Sequence, residues 1–160
     1  MASGKSTIGK ILAKTLRIDF IETDKEIERE AGVDISWIFD VEGEKGFRER
    51  ERDILKEIIK KKDLVISTGG GIVLLEENRK LMSTKGKIIY LDTPLQIQLK
   101  RTINDKTRPL LGKGNKREIL KAFKKERDPL YHEIADVTIN QTEKKPSQIL
   151  SEIIDKLNIK

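Results

Sequence analysis

The first seven residues constrain this chain most. Gly4-Lys-Ser-Thr7 fills the closing positions of the pattern G-x-x-x-x-G-K-[ST], a glycine-rich turn whose backbone N–H groups cradle phosphates. The first glycine of that pattern belongs ahead of Met1. Directly after the motif, Ile8, Ile11, Leu12 and Leu16 keep helical spacing and predict a helix over 5–16. Its free N–H groups and positive end would face a phosphate. In such a loop Lys5 reaches the β- and γ-phosphates and Ser6 ligates Mg²⁺. The plainer reading is an ordinary helix start containing a glycine and a lysine.

Further along, apolar strands and amphipathic helices alternate. Phe20-Ile-Glu22 reads as a short strand, and Asp24 can cap a helix that stops at Gly32. Asp34 can cap a second helix holding Trp37, Ile38 and Phe39, ahead of a separate amphipathic helix over 44–62. Leu64-Val-Ile-Ser67 is a compact apolar strand that runs into Thr68 and three glycines. A helix near 76–84 precedes a strand over 87–91, and Thr93-Pro94 starts another helix. Residues 104–116, with Pro109, Gly112 and Gly114 among charges, read as a mobile loop. A helix over 116–132, a strand over 137–140 and a helix from Pro146 close the chain. The alternation implies a parallel sheet covered on both faces.

A chain of 160 residues is expected to form one domain, 1–160, with a sizeable core. Cysteine is absent, which excludes disulfides, thiol catalysis and cysteine-bound zinc and fits the cytoplasm. No apolar run has the length of a membrane span. The net charge of +6 raises nucleic-acid binding as a possibility. Aromatics at 4% are too few for a base-stacking platform, and lysines alternate with glutamates, so a solvated lysine-rich surface is the expectation.

Four further groups suggest chemistry, each with a plainer alternative. Gly69-Gly-Gly71 follows a buried strand and would let backbone approach a ligand closely, or serve only as a flexible turn. Glu22 and Asp24 lie at the carboxyl end of a strand, where parallel sheets bind ligands, although Asp24 could be a helix cap alone. Arg48 and Glu51 stand three apart on one helix and could be a surface pair. Arg108 and Arg127 could be ordinary solvated arginines.

Taken together the motifs resemble the shikimate kinase family. The matching stretches are Gly4-Lys-Ser-Thr-Ile-Gly9, Glu22-Thr-Asp-Lys-Glu-Ile27, Trp37-Ile-Phe39, Glu42-Gly-Glu-Lys-Gly-Phe-Arg48 with Glu51, Ser67-Thr-Gly-Gly-Gly71, Arg108-Pro-Leu-Leu111 and Arg127-Asp-Pro-Leu-Tyr131. The phosphate loop is shared by many enzymes. The phenylalanine–arginine segment, the triple glycine and the R-P-L-L segment are far more specific in combination.

The resemblance implies a nucleoside-monophosphate-kinase-like α/β P-loop fold, with three layers and a parallel sheet in the order 2-3-1-4-5. It implies transfer of the ATP γ-phosphate to the 3-hydroxyl of shikimate, on the route to chorismate and aromatic amino acids, by a monomer using Mg²⁺. By similarity Lys5, Asp24 and Arg108 are catalytic, Asp24 holding the shikimate hydroxyls and serving as general base. Arg48, Gly69, Gly70, Gly71 and Arg127 match the shikimate site, the arginines facing its carboxylate with the bidentate geometry that suits guanidinium. Glu51 matches the residue that orients Arg48. Ala2, Ser3, Gly4, Lys5, Ser6 and Thr7 match the ATP phosphate loop, with Arg101 and Pro146 near adenine and Arg108 in a lid over 104–116. Ser6 and Glu22 match the metal positions.

Three departures accompany the match. Glu22 stands where the family usually has aspartate, and Ala2 where it usually has glycine. The strand that precedes the phosphate loop, strand 1 of the family's sheet, is absent. Losing a buried central strand is expected to cost more than the roughly 5–15 kcal/mol that holds a domain together. The expectation is therefore a start assigned too late, or a fragment. Rival readings are a related small-molecule kinase such as gluconate kinase, a non-catalytic nucleotide-binding remnant, and a basic nucleic-acid-binding module.

Overall fold

The computed structural model describes residues 2–102, 114–142 and 144–158. Its strands and helices alternate as the apolar pattern predicts. Helix α1 (Lys5–Leu16) leads to strand β1 (Asp19–Glu22), helices α2 (Thr23–Ala31) and α3 (Ile35–Ile58), and strand β2 (Leu64–Ser67). A 3₁₀ turn (Ile72–Leu74), helix α4 (Glu76–Lys85), strand β3 (Ile89–Asp92) and helix α5 (Leu95–Thr102) follow. Helix α6 (Lys116–Ile134), strand β4 (Val137–Asn140) and helix α7 (Pro146–Leu157) complete it.

The strands form two parallel pairs. β1 runs beside β2 with Phe20 opposite Val65, and β3 beside β4 with Tyr90 opposite Thr138. Among the described residues β2 and β3 are not hydrogen-bonded to each other. In the order 2-3-1-4-5 these pairs are 2-3 and 4-5, on either side of the place of strand 1. The sheet among the described residues is therefore divided at the place of the strand expected to be missing.

Three apolar clusters fix the helices. Ile8 and Leu12 of α1 pack with Leu91, Val137 and Ile139 of the second pair and with Ile149 and Ile153 of α7. Ile27, Ile38, Phe47, Ile54 and Ile58 bind α2 and α3 over the first pair. Leu55, Ile72, Val73 and Met82 join α3 to α4, with Leu130 and Tyr131 of α6 against them. Burial of aliphatic side chains at about 1.5–3 kcal/mol each makes these clusters the main stabilising force.

Three local expectations need correction. The two helices expected over 34–62 are both present, separated inside α3 where Gly43 takes φ 71° and ψ −177°, but the second ends at Ile58 and not at Lys62. That backbone geometry is open to glycine at low cost, so the break sits where the sequence permits it. Asp34 does cap the run, accepting from the Trp37 N–H at 2.7 Å. Asp24 is no helix cap: Glu22 holds that position and Asp24 lies within the first turn of α2. The strand expected over 87–91 is displaced to 89–92, because the N–H of Ile88 donates to the Asp136 carboxylate at 2.8 Å instead of to a ladder. Among the described residues no helix is long and apolar enough to cross a membrane.

Candidate active site

Gly4 caps the start of α1, the helix that the spacing after the motif predicts. The N–H of Ile8 closes the first turn of α1 on the Gly4 carbonyl at 3.0 Å, and that turn contains no acidic residue. Ala2 to Thr7 and Arg101 line a cleft of about 310 Å³. Arg101 reaches it from α5, donating to the Ala2 carbonyl at 2.9 Å and to Gln141 at 3.2 Å. A helix N-terminus with free N–H groups and flanking cations suits a polyphosphate. Pro146 opens α7 and is not among the residues lining this cleft. Arg108, with most of the expected lid, lies outside the described residues.

The metal candidates meet. The Ser6 hydroxyl donates to the Glu22 carboxylate, so β1 delivers its last side chain to the start of α1. Lys10 lies 3.8 Å from the same carboxylate. A hydroxyl and a carboxylate are hard oxygen donors, and Mg²⁺ commonly takes one or two such protein ligands beside substrate phosphates and water. The residues present fit that ion. Among the described residues no group of three or more His, Cys, Asp or Glu side chains is placed to hold a metal ion.

The acceptor candidates form a second, more buried group. Arg48 and Glu51 are not a surface pair. They are 8% and 0% exposed, and the guanidinium donates to the Glu51 carboxylate at 2.7 Å. Glu44, half exposed, receives the other arm at 3.0 Å. These two carboxylates hold the Arg48 guanidinium more firmly protonated than usual, against the cost of its burial. Burial pushes the Glu51 carboxyl up, opposed by the charge and hydrogen bond of Arg48. Arg127 is also buried, with its guanidinium 4.0 Å from the centre of the Phe123 ring. Arg48 Nε, Arg127 Nε and Glu51 Oε1 have no hydrogen-bond partner among the described residues. Buried donors left unsatisfied are costly, and a bound anion would relieve that cost.

The glycine run explains itself at this contact. A β-carbon on Gly71 would stand 2.1 Å from an Arg48 nitrogen. One on Gly69 would stand 2.6 Å from Glu51 Oε1 and 2.9 Å from an Asp24 oxygen. The turn is therefore held to glycine by charged side chains pressed against its backbone, not by flexibility. Asp24, Glu51 and Arg48 come together around it. Ser3, Lys5, Gly69, Gly70 and Arg127 also line a common cavity, which joins the phosphate loop to the acceptor group.

Sequence reasoning passed over two residues that hold this turn. Thr23, fully buried, accepts from the Gly69 N–H at 3.0 Å. The Tyr131 hydroxyl donates to the Gly70 carbonyl. Burial pushes that hydroxyl up to about 12, so it stays a donor at any ordinary pH. Tyr131 stacks on Tyr90 at 4.7 Å, and Tyr90 donates to Asp128, which pairs with Lys124. Both residues sit inside motifs singled out above, but nothing local marks their contacts, which span 46 and 61 residues of chain.

A family model for shikimate kinase matches residues 1–158. The chain belongs to the shikimate kinase family. Family relatives include shikimate kinase 1 of Pectobacterium atrosepticum, 48% identical over 98% of this chain and 91% of its own length. The shikimate kinase of Actinobacillus pleuropneumoniae serotype 5b is 50% identical over 97% of this chain and 90% of its own. The fold agrees with that of the shikimate kinase from Acinetobacter baumannii in complex with shikimate, at a TM-score of 0.96 and 42% identity. That match covers 99% of this chain and 88% of the other. Membership makes this chain an ATP-dependent phosphotransferase with the P-loop α/β architecture of its family.

Proposed function

We propose that the chain acts as one kinase unit that moves the γ-phosphate of ATP to the 3-hydroxyl of shikimate, as a cytoplasmic monomer. The observation that carries this reading is the joining of two groups in one molecule. A cationic phosphate loop shares a cavity with the glycine turn and Arg127. Arg48 and Glu51 press on the same turn.

In this reading the acceptor's carboxylate pairs with Arg48 and Arg127, whose Nε donors are buried and unsatisfied. Two guanidinium groups select a carboxylate by charge and planar geometry. Glu51 sets the angle of Arg48 and is a positioning residue. Asp24, beside Gly69, receives the acceptor hydroxyls, orients the attacking oxygen and takes up its proton. Lys5 and the N–H groups of the loop hold the β- and γ-phosphates, and Arg108 adds charge from the lid. Ser6 and Glu22 would hold Mg²⁺, directly or through water; when bound, the ion neutralises charge on the phosphates. Phosphoryl transfer is dominated by such positioning and charge neutralisation, which is why this set of fixed cations suits it.

The test is an acceptor series with the full chain, following ADP formation and the phosphorus NMR spectrum of the product. Shikimate is expected to give a phosphomonoester on the 3-hydroxyl, and gluconate none. Turnover of gluconate, or nucleotide binding with no acceptor-dependent turnover, would overturn the assignment.

A further inference from the structure

Arg48 holds two carboxylates, and they are unequal. Glu51 is fully buried and receives Nη1 at 2.7 Å, whereas Glu44 is half exposed and receives Nη2 at 3.0 Å. A fully buried carboxylate stays with its cation, because parting the two strands a charge in the interior. A half-exposed one can leave, because water receives it and such a pair contributes little. Glu51 is therefore the fixed partner and Glu44 the exchangeable one. Glu44 directly follows the break at Gly43 and stands one helical turn before Arg48, the spacing at which a glutamate meets an arginine.

The arm that Glu44 holds is one half of a carboxylate grip. Nε and Nη2 form the side edge of a guanidinium, which takes a carboxylate through two parallel hydrogen bonds. The neighbouring Arg50 shows the full grip, its Nε and Nη2 donating to Glu42 at 2.8 Å each. On Arg48 the Nη2 half is held by Glu44, and the Nε half is buried without a partner among the described residues. The same Nη2 lies against the glycine turn, 2.1 Å from where a β-carbon on Gly71 would stand. A carboxylate seated on this edge would need the place of the Glu44 oxygen. From this asymmetry we infer that Glu44 is a stand-in for the acceptor's carboxylate, pairing Arg48 while the acceptor is absent and displaced when it binds. The inference rests on the reading that Arg48 and Arg127 bind that carboxylate. It makes Glu44 a specificity-determining residue. Tethered one turn away, Glu44 outcompetes a free anion that engages Arg48 alone. It yields to an acceptor whose carboxylate also engages Arg127.

The test is calorimetric titration of the full chain and its Glu44→Gln variant with shikimate. The change removes the competing charge and keeps the length of the side chain. The shikimate Kd is expected to fall about two- to fivefold, the worth of one partly exposed ion pair. The Kd for a non-hydrolysable ATP analogue should stay where it is. The gain should persist in about 0.5 M KCl, where charges not in contact are screened within a few ångströms. Acetate, exchanged for chloride at constant ionic strength, should compete with shikimate in the variant and not measurably in the unaltered chain. A rise in the shikimate Kd of Glu44→Gln would overturn the inference, since Glu44 would then orient Arg48 as Glu51 does. An unchanged Kd, or a gain that disappears in high salt, would overturn it as well. Arg48→Lys separates this from the reading beneath it. If that variant binds shikimate as tightly as the unaltered chain, the carboxylate site itself is misassigned. If it binds more weakly while Glu44→Gln binds no tighter, only the role of Glu44 falls.

Discussion

The phosphate side and the acceptor side of the cavity are built on opposite plans. The phosphate side is local. Six consecutive residues and a helix start supply its donors, and Arg101 adds charge across a few ångströms. The acceptor side is assembled from distant parts of the chain: Asp24 and Thr23 on α2, Arg48 and Glu51 on α3, the turn at 69–71, and Arg127 and Tyr131 on α6. Arg48, Glu51 and Arg127 are buried and Arg48 and Glu51 hold each other in position, while Asp24 is exposed. A local, solvated site tolerates the loss of a charge without losing the fold. A buried, mutually supported site should lose stability and specificity together.

Four changes sharpen or break this contrast, beginning with the largest. Arg48→Ala leaves Glu51 buried without its partner, so a stability loss of about 3–5 kcal/mol is expected. Shikimate affinity should fall by far more than ATP affinity, read by calorimetric titration of each ligand. Comparable losses for both ligands would erase the division. Lys5→Met should do the reverse, lowering kcat by roughly 10²–10³-fold as the charge on the phosphates is lost, with denaturant midpoint nearly unchanged. A large fall in stability would show that the phosphate side is as interdependent as the acceptor side.

Tyr131→Phe removes the donor to Gly70 without changing the packing against Tyr90. One hydrogen bond is worth about 0.5–1.5 kcal/mol, so the KM for shikimate should rise roughly two- to tenfold with the KM for ATP unmoved. Equal changes in both would mark Tyr131 as general scaffold. The smallest effect belongs to Asp136, far from both sides. The Ile88 N–H and Lys87 hold its carboxyl below the usual range. Its contribution is present above the ordinary carboxylate pKa and is lost as pH falls through the lowered value, below about pH 4. Asp136→Asn should cost less than about 1 kcal/mol at neutral pH and flatten the acid limb of a Tm-against-pH curve, with both ligand affinities intact.

The same contrast decides what could be read from the chain alone. The loop, the helix after it, the strands at 64–67 and 137–140 and the cap at Asp34 all follow from neighbours in sequence, and the structure has them in place. The pairing of Arg48 with Glu51 is local too, but its burial is not, because α2 and the glycine turn come from elsewhere to cover it. Arg127 looks like a solvated arginine; its contact with Phe123, one helical turn back, is local, but its burial comes only when α6 is folded over the cavity. The separation of β2 from β3 is also a long-range property. It agrees with the expectation, read from the sequence, that strand 1 of the order 2-3-1-4-5 is missing from these residues.

The central claim is that the buried arginine side of the cavity binds the acceptor's carboxylate, while the loop side binds phosphates. Arg48→Lys tests it most directly, since it keeps the charge and loses the planar fork. With shikimate and a non-hydrolysable ATP analogue titrated separately by calorimetry, the shikimate Kd should rise at least about tenfold and the nucleotide Kd stay within about twofold. A nucleotide Kd that rises as much as the shikimate Kd, or a shikimate Kd that does not move, would contradict the account.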